Sequence, residues 1–398
     1  MLHTSNFLSL ASNKLQGQIP ACICDQTEYL EALDLSSNNL NGQFPSNFGN
    51  CSSLKVLNVA NNHFEGQIPV ELGKLKKLQV LHINDNRLTG HVPSSLRNCK
   101  MLEILDLSGN NISGKVPEWI GDLSKLRVLI LRSNKLEAEI PIQIRYLQKL
   151  QIPDLAMNQL SGSIPPHLSN LSTLRNGYNF TSSQYSAIRY TNYYKEELYL
   201  TVKAQIQPCK KILSIFTFLD LSANNLSGDI PEDMGYLKCV ISLNLSHNHL
   251  VENIPKAFGR MVNLEALDLS CNQLSGRIPE TFADLDFLGY LNLSNNNLPG
   301  RIPTLPHLQT FEDSSFSGNP ELCGEPVQRK CNYRTSNSGQ REEGDESVHW
   351  WNLWEVGMGI GITTVFGSVI GALALSRRLN RGYFQFVDSI LNFSSRVR

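Results

Sequence analysis

Three stretches of this chain, "LEALDLSSNNLNGQFP", "LEILDLSGNNISGKVP" and "LEALDLSCNQLSGRIP", are variants of one unit. They follow L-x-x-L-x-L-x-x-N-x-L-x-G-x-I-P, and eleven such units run along the sequence. Their asparagines fall at Asn13, Asn38, Asn62, Asn86, Asn110, Asn134 and Asn158, then at Asn224, Asn248, Asn272 and Asn296. The spacing is 25 once, 24 five times, 66 once and 24 three times, so a single insertion of 42 residues breaks the period. No unit of this size can bury an apolar face alone, and neighbours must therefore stack into a solenoid.

Each slot has a physical reading. In L-x-L, alternate residues point to one side, so every unit opens with a short strand whose leucines enter the core. Each buried leucine contributes roughly 1.5–3 kcal/mol. The asparagine follows where the chain turns inward, and its amide can bond backbone groups of the adjacent turn. Stacked asparagines form a ladder that satisfies polar groups costing roughly 1–3 kcal/mol each when stranded. The Gly slot permits a tight backbone path, and the Pro rigidifies the descent. Pro fills all eleven units, Pro20 through Pro303, whereas Gly is replaced at Ala138 and Glu252. Those two turns are expected to differ locally.

The 398 residues are 41% hydrophobic, which supports a large core. A net charge of -1 provides no concentrated basic face and argues against nucleic acid as the main partner. No nucleophile–base pair at recognised spacing, phosphate-binding glycine loop or metal cluster stands out. A non-enzymatic protein without cofactor or metal is expected. Nine cysteines leave at least one without an intramolecular partner. Cys22, Cys24, Cys51 and Cys99 offer cross-repeat bridges, Cys24–Cys51 among them, and the sequence does not choose.

The L-x-G-x-I-P units resemble the plant-specific class of leucine-rich repeat found in cell-surface receptors. The resemblance implies a leucine-rich repeat solenoid of 24-residue units, one parallel β-strand per repeat, forming a right-handed superhelix with a strand-lined concave face. Seven repeats (1–175), an insertion (176–215), four repeats (216–305) and a cap (306–332) resemble the C-terminal part of plant receptor-like proteins, which lack a kinase. "YYKEELYLTVKAQ", "LGYLNLSNNNLPGRIP" and "FEDSSFSGNPELCGEPVQRKC" carry that likeness, nearest to the fungal-xylanase (Eix-type) receptor branch. It implies a disulfide between Cys323 and Cys331 that closes the core. It also implies a signal peptide, a cysteine-paired cap and further repeats before Met1. "MLHTSNFLSLASNKLQGQIP" shows none of these, as expected of a fragment or of a truncated relic.

The insertion crowds Tyr178, Tyr185, Tyr190, Tyr193, Tyr194 and Tyr199 into a short stretch. Tyrosine offers rigid amphipathic contact area suited to recognition. "EELYLTVKAQI" alternates as a strand folding back on the solenoid would. A plain surface loop is the alternative.

Beyond an acidic segment (333–355) lies "VGMGIGITTVFGSVIGALAL", Val356 to Leu375, 20 residues without charge. As a helix it spans ~30 Å, the hydrocarbon thickness of a bilayer. Trp350, Trp351 and Trp354 precede it, and Arg377, Arg378 and Arg381 follow it. This asymmetry predicts a single transmembrane helix with the repeats outside and a short cytoplasmic tail (376–398) at the plasma membrane. A buried soluble helix is the competing reading. Gly357/Gly361 and Gly367/Gly371 form two G-x-x-x-G pairs that let a second helix approach closely. In the family such a span supports pairing with an adaptor receptor kinase. The tail is too short for a kinase domain. Its "YFQF", Tyr383–Phe386, fits either an endocytic signal or an interfacial anchor.

Variable positions between the strand leucines are expected to face the ligand. Early units vary, with Lys55/Asn58, Gln79/His82/Asn84 and Arg127/Ile130/Arg132. Late units are monotonous, with Asp220/Ser222, Asn244/Ser246, Asp268/Ser270 and Asn292/Ser294. Specificity is therefore expected in the early repeats and the insertion, and co-receptor kinase contact near the last four repeats. His82 is expected as a surface side chain rather than a metal ligand. Asn50, Asn111, Asn170, Asn179, Asn225, Asn244 and Asn292 open N-x-S/T sequons on the outer side. The same pattern at Asn392, in the tail, shows how permissive it is.

The reading that results is a glycosylated receptor for an extracellular peptide, protein or glycan, acting in plant defence or development. A non-signalling relic or decoy, or an extracellular inhibitor or adhesion protein, is the alternative.

Overall fold

The computed structural model describes residues 6–24, 29–177, 198–202, 205–209, 216–304 and 308–331. The chain divides into two units, Met1–Asn332 and Tyr333–Arg398. The second, with the expected membrane span and its glycines Gly357, Gly361, Gly367 and Gly371, lies outside the described residues. Among the described residues no helix is long and apolar enough to cross a membrane.

The units stack as their period requires. Short strands such as Ala32–Asp34, Val56–Asn58 and Val80–His82 pair in parallel, and 11 of them form one sheet. Register is locked unit to unit: Leu33 opposes Leu57, and Leu57 opposes Leu81. Those leucines are fully buried in one continuous apolar core. A second parallel sheet of 9 strands follows the asparagines, for example Asn39–Gln43 and His63–Gln67. In most units the proline then opens a 3-10 turn: Pro69, at φ -65°, caps Val70–Lys74, whereas His167 caps the turn after Pro165. The fixed φ and missing N–H of proline suit a helix start.

The asparagine ladder is present. Asn110 is buried, accepts from the Leu88 N–H at 3.0 Å, and donates to the carbonyls of Ile83, Leu107 and Ser108 at 3.0–3.1 Å. One amide thus ties its own turn to the unit before it, and the pattern recurs from Asn38 to Asn296. It then continues into the cap. Asn319 accepts from Leu298 N–H at 3.0 Å and donates to Leu293 and Phe316 carbonyls. Phe316 fills the leucine slot, buried, three residues before that asparagine, and the strand Leu322–Cys323 pairs with Gly300–Arg301. The cap is therefore a degenerate twelfth turn. Disulfides join Cys323 to Cys331 and Cys24 to Cys51.

The two turns without glycine were expected to differ locally, and one of them does. Ala138 and Glu252 both take the left-handed φ of +63° that glycine takes elsewhere. Each residue bears a strain of roughly 1–2 kcal/mol. At Ala138 the strand Lys135–Glu139 keeps its full five residues. At Glu252 the second sheet ends with His249–Leu250 and only an isolated bridge, Asn253 to Ser275, follows.

The insertion does not interrupt the solenoid. Asp154 pairs directly with Asp220, Gly162 with Leu226, and Leu160 N–H reaches Asn224 Oδ1 at 3.0 Å. On the third side Ser169 Oγ donates to Asp233 Oδ2 at 2.8 Å. Within the insertion, Leu198–Val202 and Gln205–Cys209 form an antiparallel hairpin, where one strand was expected.

Candidate ligand-binding face

The outer face of the 11-stranded sheet is built from the residues between the core leucines. Its centre is a row of buried apolar side chains, Ala32, Val56, Val80, Ile104, Val128 and Ile152, continued by Phe218. They form a second apolar cluster on the opposite side of the sheet from the main core. Strand alternation places them there, because each precedes an inward leucine. Polar rows run beside them, one residue before and two after in sequence.

The first row pairs along the stack. Lys55 Nζ sits 2.9 Å from Glu31, and Arg127 Nε donates to Gln151 Oε1 at 3.1 Å with Glu103 at 3.9 Å. Arg127 is only 5% exposed, so it is held against its neighbours rather than presented to solvent. Burial pushes the Glu103 carboxyl above its usual range, opposed by Arg127, Lys149 and Lys125. Gln79 lies between these pairs, half-buried.

The second row holds the late-repeat monotony. Asp220 Oδ1 accepts from both Ser222 N–H (3.0 Å) and Ser222 Oγ (2.6 Å). Asn244 with Ser246, Asp268 with Ser270 and Asn292 with Ser294 repeat the same turn. These residues close the strand ends locally. A structural duty therefore accounts for their sameness without a contacting partner. Among the early members, Asn58 Oδ1 likewise accepts from the Ala60 N–H at 3.1 Å.

His82 departs from expectation. It is 4% exposed, not a surface side chain, and its Nδ1 lies 3.7 Å from Asp106 Oδ2 on the next strand. Among the described residues no group of three or more His, Cys, Asp or Glu side chains is arranged to hold a metal ion. Asn84 is half-buried and bonds Asp85 at 2.7 Å.

The strongest electrostatic feature sits at the insertion point. Arg132 Nε donates to Asp154 Oδ2 at 2.9 Å, and its other nitrogen to Asp220 Oδ2 at 2.6 Å. One guanidinium thus bridges the units on either side of the insertion. Burial, together with the neighbouring Asp220 carboxylate, pushes Asp154 up to about 7 despite Arg132. Asp154 was not singled out from the sequence, and Asp220 was read only as one of the monotonous late positions, although the Asp before each inner leucine recurs openly.

Of the sequons, Asn50, Asn111, Asn170 and Asn225 are exposed, whereas Asn244 and Asn292 lie half-buried in the first sheet. Tyr185, Tyr190, Tyr193, Tyr194 and Asn179 fall outside the described residues.

Comparison with known proteins agrees with this geometry. The Leucine rich repeat family pattern matches residues 28–88, 76–136 and 242–298, and a second Leucine Rich Repeat pattern matches 216–237. Receptor-like protein 45 of Arabidopsis thaliana is 58% identical over 181 residues, 44% of this chain and 19% of that protein. Receptor-like protein EIX2 of Solanum lycopersicum is 39% identical over 98 residues, 23% of this chain and 10% of that protein. The matched stretches thus span less than a fifth of either relative. The crystal structure of a TDR receptor superposes with a TM-score of 0.61 at 29% identity, covering 74% of this chain and 44% of that one. Repeat pattern, relatives and fold together show a leucine-rich repeat solenoid and support a plant leucine-rich repeat receptor-like protein.

Proposed function

We propose that this chain is a non-enzymatic cell-surface receptor that captures an extracellular peptide, protein or glycan on the outer face of the first sheet and on the insertion. The observation that carries this reading is the seamless join beneath the insertion. Asp154 and Asp220 remain paired across it, so the first sheet runs on without a break, and this supports a recognition role for the 42 extra residues. Gln79, Asn84 and Lys55 offer the accessible polar groups of the early repeats, and the tyrosines of the insertion offer contact area.

In this reading Val356–Leu375 anchors the chain once in the plasma membrane, with the repeats outside and glycosylated. Catalytic output then comes from an adaptor receptor kinase paired through Gly357, Gly361, Gly367 and Gly371, with a co-receptor kinase near the last repeats. Excising Tyr178–Gln207 should abolish the ligand response while surface delivery persists. A retained response would make the insertion passive. Replacing the four glycines with leucine should weaken co-precipitation of the kinase, and unchanged pairing would remove the span from the mechanism.

A further inference from the structure

In a chain this repetitive, departures from the unit are informative when they converge in space. Two of them meet where the second sheet adjoins the 3-10 turns, away from the face discussed above. Trp119 stands two residues after its proline, where other units carry Asn47, Glu71, Ser95, Gln143 and His167. Ala138 replaces glycine at a left-handed position, a conformation that a side chain makes costly. Both line one open groove of about 830 Å³. That volume lies within the range of small-ligand sites.

The groove is formed by the strands Asn111–Lys115 and Lys135–Glu139 and by three 3-10 turns. Its apolar wall is Trp119, Val92, Pro117 and the Ala138 methyl, and Trp119 also packs against the edge of the core. Around that wall, polar groups are already positioned. Arg97 is bonded to Asp122 at 3.1 Å, and Gln143 to Glu118 at 3.3 Å. Lys115 and Glu137 lie opposite each other on adjacent strands, both exposed, and make no side-chain hydrogen bond or ion pair among the described residues. They leave donors and acceptors open to a ligand.

From these residues we infer that the groove binds a neutral, flat, β-linked oligosaccharide. An indole placed in an open trough offers a platform for the C–H face of a sugar ring, and adjoining carboxylates and ammonium groups match its hydroxyls. Charge selects against an acidic glycan, since Arg97 and Lys115 face Glu118, Asp122 and Glu137, two cations against three carboxylates. This site does not rest on the receptor reading, because it shares no residue with the first-sheet face.

The test is calorimetric titration of the full chain, held in a detergent without a sugar headgroup, with cellohexaose, xylohexaose and tetragalacturonate. A neutral hexamer should bind more tightly than about 1 mM. Trp119→Ala should abolish that binding. Because Trp119 also touches the core, the double variant Lys115→Ala/Glu137→Ala, confined to exposed positions, is the second arm and should weaken binding at least about tenfold. No heat from either neutral hexamer, affinity unchanged in the double variant, or preference for tetragalacturonate would each overturn the assignment.

Discussion

Replacing Asn110 by alanine strands the Leu88 N–H inside the stack, while the Ile83 carbonyl keeps its second donor, Asn86 Nδ2, at 3.2 Å. A buried group left without a partner costs about 1–3 kcal/mol, and the loss should be of that size. The same asparagine in the first unit is an internal control. Asn13 is exposed and, among the described residues, bonds only the carbonyls of its own turn, Leu10 and Ala11, at 3.0 Å. Asn13→Ala should therefore cost less than about 1 kcal/mol. Urea denaturation followed by far-ultraviolet circular dichroism compares the two at equal protein concentration. Since long repeat arrays can unfold in steps, the midpoint of the transition that reports the central repeats is the quantity to read. Equal midpoint shifts for the two variants would refute the ladder as the source of inter-repeat cohesion.

Three other outcomes follow from the same geometry. Arg132→Met leaves Asp154 and Asp220 buried beside each other without their cation and should destabilise by about 3–5 kcal/mol, read from the same midpoint. The folded protein holds Asp154 at about 7, above its unfolded value of 3.8, so folding favours the protonated form. Its contribution is complete below about pH 4 and is lost as pH rises through about 7, on the order of a few kcal/mol, and Asp154→Asn should flatten that decline. Removing the eight-residue loop closure with Cys323→Ser/Cys331→Ser should cost roughly 2–3 kcal/mol and loosen the cap first, visible as faster amide exchange near Leu322.

The strand stack, the ladder and the position of the insertion were legible because a fixed period aligns equivalent residues without any knowledge of contacts. What the period hides is how a slot is filled. The second sheet escaped notice because stretches such as "NLNGQ" at Asn39–Gln43 carry one buried side chain and no apolar alternation. The left-handed residue before each ladder asparagine was equally silent, since Met157 at φ +55° and Ala223 at φ +51° are not turn formers by type. Asn319 was missed because a phenylalanine, Phe316, fills the leucine slot, although its three-residue spacing to the asparagine was there to read. The burial of His82 comes from the neighbouring strand and its Asp106, 24 positions away, and no local pattern encodes that.

Topology in living cells bears most directly on the proposal that a repeat ectodomain senses outside and takes its catalytic output from a partner. An epitope placed after Arg398 should survive protease added to intact protoplasts, while an epitope in the repeats is lost. The chain should leave the membrane fraction only with detergent. Digestion of the C-terminal epitope from outside, or recovery of the intact chain in a detergent-free aqueous extract, would contradict it.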